Sequence, residues 1–210
     1  MGRALSPTEV LSQKRDVLPF EGEWFDAFGH PEKTGVWFIW GNSGNGKTSF
    51  MMQLCKELAK FGKVGYNSLE EGVSLSMQNA IKRYGLAEQN RRVVFFDCMK
   101  MADLSEKLKK PRQPKFIIID SFQYTQMNYK DYIKFKEAHR DKLLIFVSHA
   151  SGSQPSGRSA VSVMYDASLK IWVQHHRAFS KGRFIGERGY FNVWEEEANR
   201  LWGENNNKGI

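Results

Sequence analysis

Val36-Trp37-Phe38-Ile39-Trp40 runs directly into Gly41-Asn42-Ser43-Gly44-Asn45-Gly46-Lys47-Thr48. Ser49 then opens a stretch with apolar Phe50, Met51, Leu54, Leu58 and Phe61. The first five residues form a continuous apolar run of strand length, which predicts a buried strand. The three- and four-residue spacing of the last group predicts an amphipathic helix over 47–61, closed by Gly62. The eight residues between them match G-x-x-x-x-G-K-[ST], and the strand before and helix after are the context that gives the motif meaning. Its glycines let the backbone curl so that N–H groups point at phosphate oxygens. The helix N-terminus adds a positive dipole. Lys47 is placed to reach the β- and γ-phosphates of ATP, and the Thr48 hydroxyl to ligate Mg²⁺. Gly41 through Ser49 is therefore the expected nucleotide-binding set.

Working outward, strands are expected at 64–68, 92–96, 116–120, 143–148, 169–173 and 190–194. Helices are expected at 74–84 and 129–140. Asp103 with Glu106 three residues on reads as a capping box for a short helix to Lys109. Residues 150–159 show no apolar period and read as a loop. Strands alternating with helices predict an α/β fold: a mostly parallel twisted sheet covered on both faces, with late antiparallel strands. The expected domain layout is a lead-in over 1–35 packed on the core, an ATPase domain over 36–202 and a flexible tail over 203–210.

Ligands of such sheets bind beyond the carboxyl ends of the strands. Four chemically useful residues fall just there: Gly41, Glu70, Asp120 and His149. Phe116-Ile117-Ile118-Ile119-Asp120 is a Walker B pattern, a buried strand delivering one carboxylate to its tip, where Asp120 can hold Mg²⁺ with Thr48. Ser121 follows, so the carboxylate that polarises the attacking water must come from elsewhere. Glu70, in Asn67-Ser68-Leu69-Glu70-Glu71-Gly72, is the first choice and Glu71 its rival. His149 follows a strand expected to lie beside the Walker B strand, where it can sense the γ-phosphate.

A chain of 210 residues, 41% hydrophobic and 26% charged, has the make-up of one folded domain. Cys55 and Cys98 form no C-x-x-C, which argues against zinc and a disulfide framework. No apolar run approaches about 18 residues and the N-terminus lacks a signal-peptide core, so a cytoplasmic protein with no membrane span is expected. The net charge of +8 attracts polyanions, nucleic acid among them.

Together these motifs resemble the RecA-like ATPases, and within them the RadA and DnaB-helicase branch. Ser68-Leu69-Glu70 is similar to the helicase Ser-Leu-Glu, whose Glu is the catalytic base. Ile118-Ile119-Asp120-Ser121-Phe122-Gln123 is similar to the RadA Walker B with its Asp-Ser-x-Gln continuation. Ser148-His149 stands where the family keeps a Gln or His switch. Lys181-Gly182-Arg183 is similar to the helicase Lys-x-Arg. The resemblance implies that Lys181 and Arg183 act in trans, on the ATP of a neighbouring subunit in a homo-oligomeric ring or filament. Two cations two residues apart on a strand would point to one side. No zinc ribbon, protease-like domain or helical N-terminal domain accompanies the motifs, so a minimal motor core of the kind phages and mobile elements encode is expected.

The resemblance also implies two loops that contact single-stranded DNA. One carries Phe122 and Tyr124, aromatic platforms for bases. The other carries Arg158 among Ser and Gly, groups that hold phosphates without reading sequence. The resulting expectation is a DNA-stimulated ATPase of replication, recombination or repair. A KaiC-like regulatory ATPase without DNA binding and a small-molecule kinase are the competing readings.

Overall fold

In the computed structural model, residues 3–89 and 91–205 are described. Two short helices, α1 (Pro7–Leu11) and α2 (Gly22–Phe28), precede β1 (Gly35–Gly41) and α3 (Lys47–Leu58). Then come β2 (Val64–Ser68), α4 (Leu75–Arg83), β3 (Val93–Asp97), α5 (Met101–Leu108), β4 (Phe116–Asp120) and α6 (Tyr129–Ala138). A hairpin of β5 (Leu143–Ser151) and β6 (Gln154–Pro155) leads into α7 (Arg158–Asp166). The chain continues through β7 (Leu169–Gln174), β8 (Arg177–Ser180), β9 (Tyr190–Asn192) and α8 (Glu195–Asn205).

The strands form one sheet in the order β3-β2-β4-β5-β1-β7-β8-β9, with β6 paired to β5. From β3 to β7 every pairing is parallel; β8 and β9 are antiparallel. β5 lies between the phosphate-loop strand β1 and the Walker B strand β4, as the sequence led us to expect for the neighbour of Asp120.

Side chains alternate across the sheet, and both faces are covered. On one face Trp37, Ile39, Ile118, Ile145 and Val147 pack with Phe50, Met51 and Leu54 of α3. On the other, Phe38, Trp40, Ile117, Ile119 and Phe146 pack with Leu104, Tyr132 and Val163 of α5, α6 and α7. This is why the strands read as continuous apolar runs. Each fully buried residue of this size contributes roughly 1.5–3 kcal/mol, so the strand tips that carry the polar residues are anchored to a rigid core. Gly41 answers a packing demand as well: a Cβ there would lie 2.2 Å from the Val173 carbonyl oxygen of β7.

Several expectations need correction. The lead-in holds two helices, and Trp24 of α2 stacks on Phe191 at 4.3 Å between ring centroids. Asp103 does not cap α5; Lys100 is the N-cap and no side chain caps it, with Asp103 inside the first turn. Residues 150–159 are not a loop without structure: β5 runs on to Ser151, turns into β6, and α7 starts at Arg158. Helix α8 extends to Asn205, through the first residues of the expected tail, and 206–210 lie outside the described residues. β8 ends at Ser180, so Lys181 and Arg183 are not on a strand.

Candidate functional site

The parallel register brings the expected polar residues abreast. Gly41 pairs with His149 across β1 and β5, and Asp120 pairs with Ser68 of β2. Gly41 through Gly46 then curls over the end of β1. Gly44 has φ 76° and Gly46 φ 94°, left-handed values that an L side chain adopts at a cost. Gly46 is also crowded, since a Cβ there would meet His176 Nδ1 at 3.0 Å. It is the N-cap of α3 and offers no side chain, so the first N–H groups of the helix stay directed outward as an anion cradle. The loop is braced from outside: Asn45 Oδ1 accepts from the His175 N–H at 2.7 Å, and Asn42 Nδ2 donates to Gly152 O at 3.3 Å.

Lys47 lies half-buried, its ammonium donating to Gly41 O at 2.8 Å and Asn42 O at 3.0 Å. Burial pushes its pKa down, opposed by the Asp120 and Glu70 carboxylates. Asp120 is shifted the other way. Burial pushes its carboxyl up, the hydroxyl of Tyr66 donates to Oδ2 and pulls back, and Glu70 pushes up again. Tyr66 is fully buried on β2 beside β4, so one oxygen of Asp120 is committed to the interior. Thr48 lines the same cleft. A hydroxyl, one carboxylate and incoming phosphate oxygens are hard donors that suit Mg²⁺. Among the described residues no group of three or more His, Cys, Asp or Glu could cage a metal alone. The donor set therefore fits a cation that arrives with phosphate.

Glu70 stands two residues past β2 and meets His149, with Oε2 and Nε2 2.8 Å apart; the same ring nitrogen is 3.1 Å from Ser121 Oγ. Both side chains keep contact with solvent, at 33% and 42% exposure. Glu71 is engaged elsewhere, accepting from Ser76 Oγ at 2.8 Å at the start of α4. Geometry thus separates two carboxylates that adjacent positions in sequence left tied. Behind His149, Gln123 donates to Ser148 Oγ at 2.8 Å and Ser156 O at 2.9 Å, and accepts from the His149 N–H at 3.2 Å.

These groups line one cleft of about 890 Å³, within the roughly 300–1,000 Å³ of small-molecule sites. Its outer walls were not anticipated. Arg83 and Tyr84 close α4 on one side, and His176, Val193 and Trp194 face the loop on the other. Trp194 is 52% exposed and meets His176 edge to face at 5.5 Å. Tyr66 and Gln123 were also missed as site residues. An apolar run with an internal tyrosine hid the first; the Asp-Ser-x-Gln likeness pointed at the second without giving it a task.

The residues expected to touch DNA or a neighbouring subunit's ATP stand outside the cleft. Phe122 is 4% exposed and packs on Phe38 and Phe146, which corrects its assignment as a base-stacking platform. Tyr124, in contrast, is 52% exposed, and Arg158 is exposed at the start of α7. Lys181 and Arg183 bond through their backbone N–H groups to Lys170 O and Ser168 O. That is where β7 begins, whereas the phosphate loop lies beyond its far end, so neither cation serves the site of its own chain.

No family model matches this chain, and no curated protein matches it. Among solved structures it is similar to the ATPase domain of a DnaB-like helicase, with 14% identity, a TM-score of 0.56, and coverage of 80% of this chain and 84% of that one. The likeness is one of fold. The chain has the RecA-like α/β architecture of an ATPase domain: a mostly parallel sheet, helices on both faces and antiparallel strands at the late edge.

Proposed function

We propose that the protein is a Mg²⁺-dependent ATPase, stimulated by single-stranded DNA and assembled as a homo-oligomer. The observation that carries the proposal is the meeting of five groups in one cleft: the glycine loop, Lys47, Asp120, and Glu70 held by His149. The amides of residues 43–49 and the Lys47 ammonium bind the triphosphate and spread its charge. Thr48 and Asp120 hold Mg²⁺, which when bound neutralises phosphate oxygens. Glu70 orients a water and accepts its proton as the water oxygen bonds to the γ-phosphorus; the bond to the ADP oxygen breaks, releasing ADP and phosphate. His149 fixes the rotamer of Glu70. Trp194 offers a π-face for the adenine.

The DNA and assembly parts rest on less direct support. A net charge of +8, the exposed Tyr124 and the exposed Arg158 favour single-strand contact. Gln123 ties His149 to Ser156, two residues before Arg158, so the loading of the cleft is coupled to the surface that would hold DNA. Lys181 and Arg183 are exposed and away from their own site, which suits cations that complete a neighbour's site. DNA replication, recombination or repair is the setting this reading favours.

ATP turnover measured with and without Mg²⁺ and single-stranded DNA tests this. Hydrolysis should need Mg²⁺, fall by about 10²-fold or more in Glu70→Gln, and rise with DNA at low salt. A protein without Mg²⁺-dependent turnover overturns the enzyme; turnover indifferent to DNA removes the DNA part alone.

A further inference from the structure

A parallel βαβ arrangement collects strand starts and helix ends at the pole opposite the nucleotide cleft, and here that pole is basic. Arg92, Lys63, Lys115 and Lys142 each sit immediately before a strand, and those strands, β3, β2, β4 and β5, are neighbours in that order. Their backbone positions therefore form a row one strand spacing apart, roughly 4.8 Å. Arg92 is turned onto Ala59 O and Lys60 O and caps the end of α3. The cations from β4 onward open instead on a groove of about 330 Å³ between the α5–β4 and α6–β5 connections.

Lys109, Lys110, Arg112, Lys115 and Lys142 line this groove, with Asp141 as its one carboxylate and Glu106 paired to Lys109 at 2.6 Å. Asp141 is shared, 3.4 Å from the Lys115 ammonium and 3.5 Å from that of Lys142. Lys110 and Arg112 have no ion-pair partner among the described residues. Three positive charges are thus left uncompensated. The deepest cation, Lys142, is 5% exposed and has a carbonyl, Pro114 O, as its second partner at 3.3 Å. A buried ammonium sharing a carboxylate is under-neutralised, and a further anion relieves it. His139 braces the walls through Ser105 Oγ at 2.9 Å, and its pKa is pushed down by burial and then by Lys142. Helix dipoles account for cations in the last turns of α5 and α6. They do not account for Arg112 and Lys115, which lie beyond both helices.

We propose that this groove binds the phosphate backbone of a nucleic acid, as a second contact surface at the pole opposite the ATP cleft. An extended row of cations suits a chain of phosphates better than one phosphate group. No Phe, Tyr or Trp lines the groove, so bases are not stacked there and sequence is not read. The site needs neither ATP nor hydrolysis and is independent of the reading of the cleft.

Fluorescence anisotropy of the full chain, without nucleotide, tests it with a labelled oligo-dT and a labelled duplex between 50 and 200 mM salt. Lys110→Glu with Arg112→Glu should weaken both probes by about 10-fold or more at the lower salt and flatten the logarithmic salt slope by about 1.4–1.8. Lys110→Gln with Arg112→Gln should show a smaller loss in the same direction while thermal unfolding stays at wild type, separating charge from folding. Unchanged affinity in the reversal pair overturns the proposal. So does saturable binding of poly-glutamate by a protein that binds neither nucleic acid, which would assign the groove to an acidic protein.

Discussion

Asp120 shows how a single site residue trades stability for chemistry. Its carboxyl is pushed up by burial, so the folded protein holds that proton more tightly than the unfolded chain does. For a carboxylate raised in this way, stability falls as pH climbs from the ordinary carboxylate range through the raised folded value, and at neutral pH the ionised group is a net cost. Asp120→Asn keeps an acceptor for the Tyr66 hydroxyl and removes the buried charge. It is expected to abolish turnover yet unfold at a higher temperature at pH 7, by about 2–4 °C per kcal/mol relieved. The gain should shrink as pH falls and the wild-type carboxyl takes its proton. Calorimetry at pH 7 and pH 4 checks this; a variant that melts lower than wild type at pH 7 would refute the account of Asp120 as a strained carboxylate.

At the scale of elements, the hairpin of β5 and β6 links the cleft to the outer surface. Gln123, in the short turn after β4, holds Ser148, the His149 N–H and Ser156 O in one amide. At about 0.5–1.5 kcal/mol for each neutral hydrogen bond, Gln123→Ala should cost on the order of 1–3 kcal/mol and free 150–157 from the sheet. Limited proteolysis should then cut within 150–157 faster than in wild type, and turnover should drop more than nucleotide affinity, because His149 loses its backbone anchor. A hairpin as protected as before would show that the β5–β6 pairing alone holds it.

For the whole molecule, the decisive question is whether one chain suffices. Lys181 and Arg183 lie at the opposite end of β7 from the phosphate loop, so a role in hydrolysis requires a second copy in a head-to-tail arrangement. Lys47→Ala and Arg183→Ala proteins are each expected to be inactive. Mixed in equal amounts they should recover roughly a quarter of wild-type activity, the share of interfaces that join two intact halves under random mixing. No recovery from two folded, oligomeric variants would place the cations outside the reaction.

The phosphate loop, the Walker B strand and the α/β class were legible because each is local: a motif whose residues are consecutive, or an apolar run bounded by its own glycine or carboxylate. Residues 36–50 and 116–120 needed no tertiary information to be read. What the sequence could not convey is which distant residues meet. Register across β2, β4 and β5 put Glu70 rather than Glu71 beside His149, and buried Tyr66 against Asp120. The same packing turned Phe122 into the core and left Tyr124 outside, two aromatics that a pattern cannot tell apart. It also gathered the cations of four separate segments at one pole. Local sequence determines backbone curvature and strand burial, because those depend on neighbours along the chain. Hydrogen bonds and charge clusters between segments depend on strand order and register, which arise only when the sheet has closed.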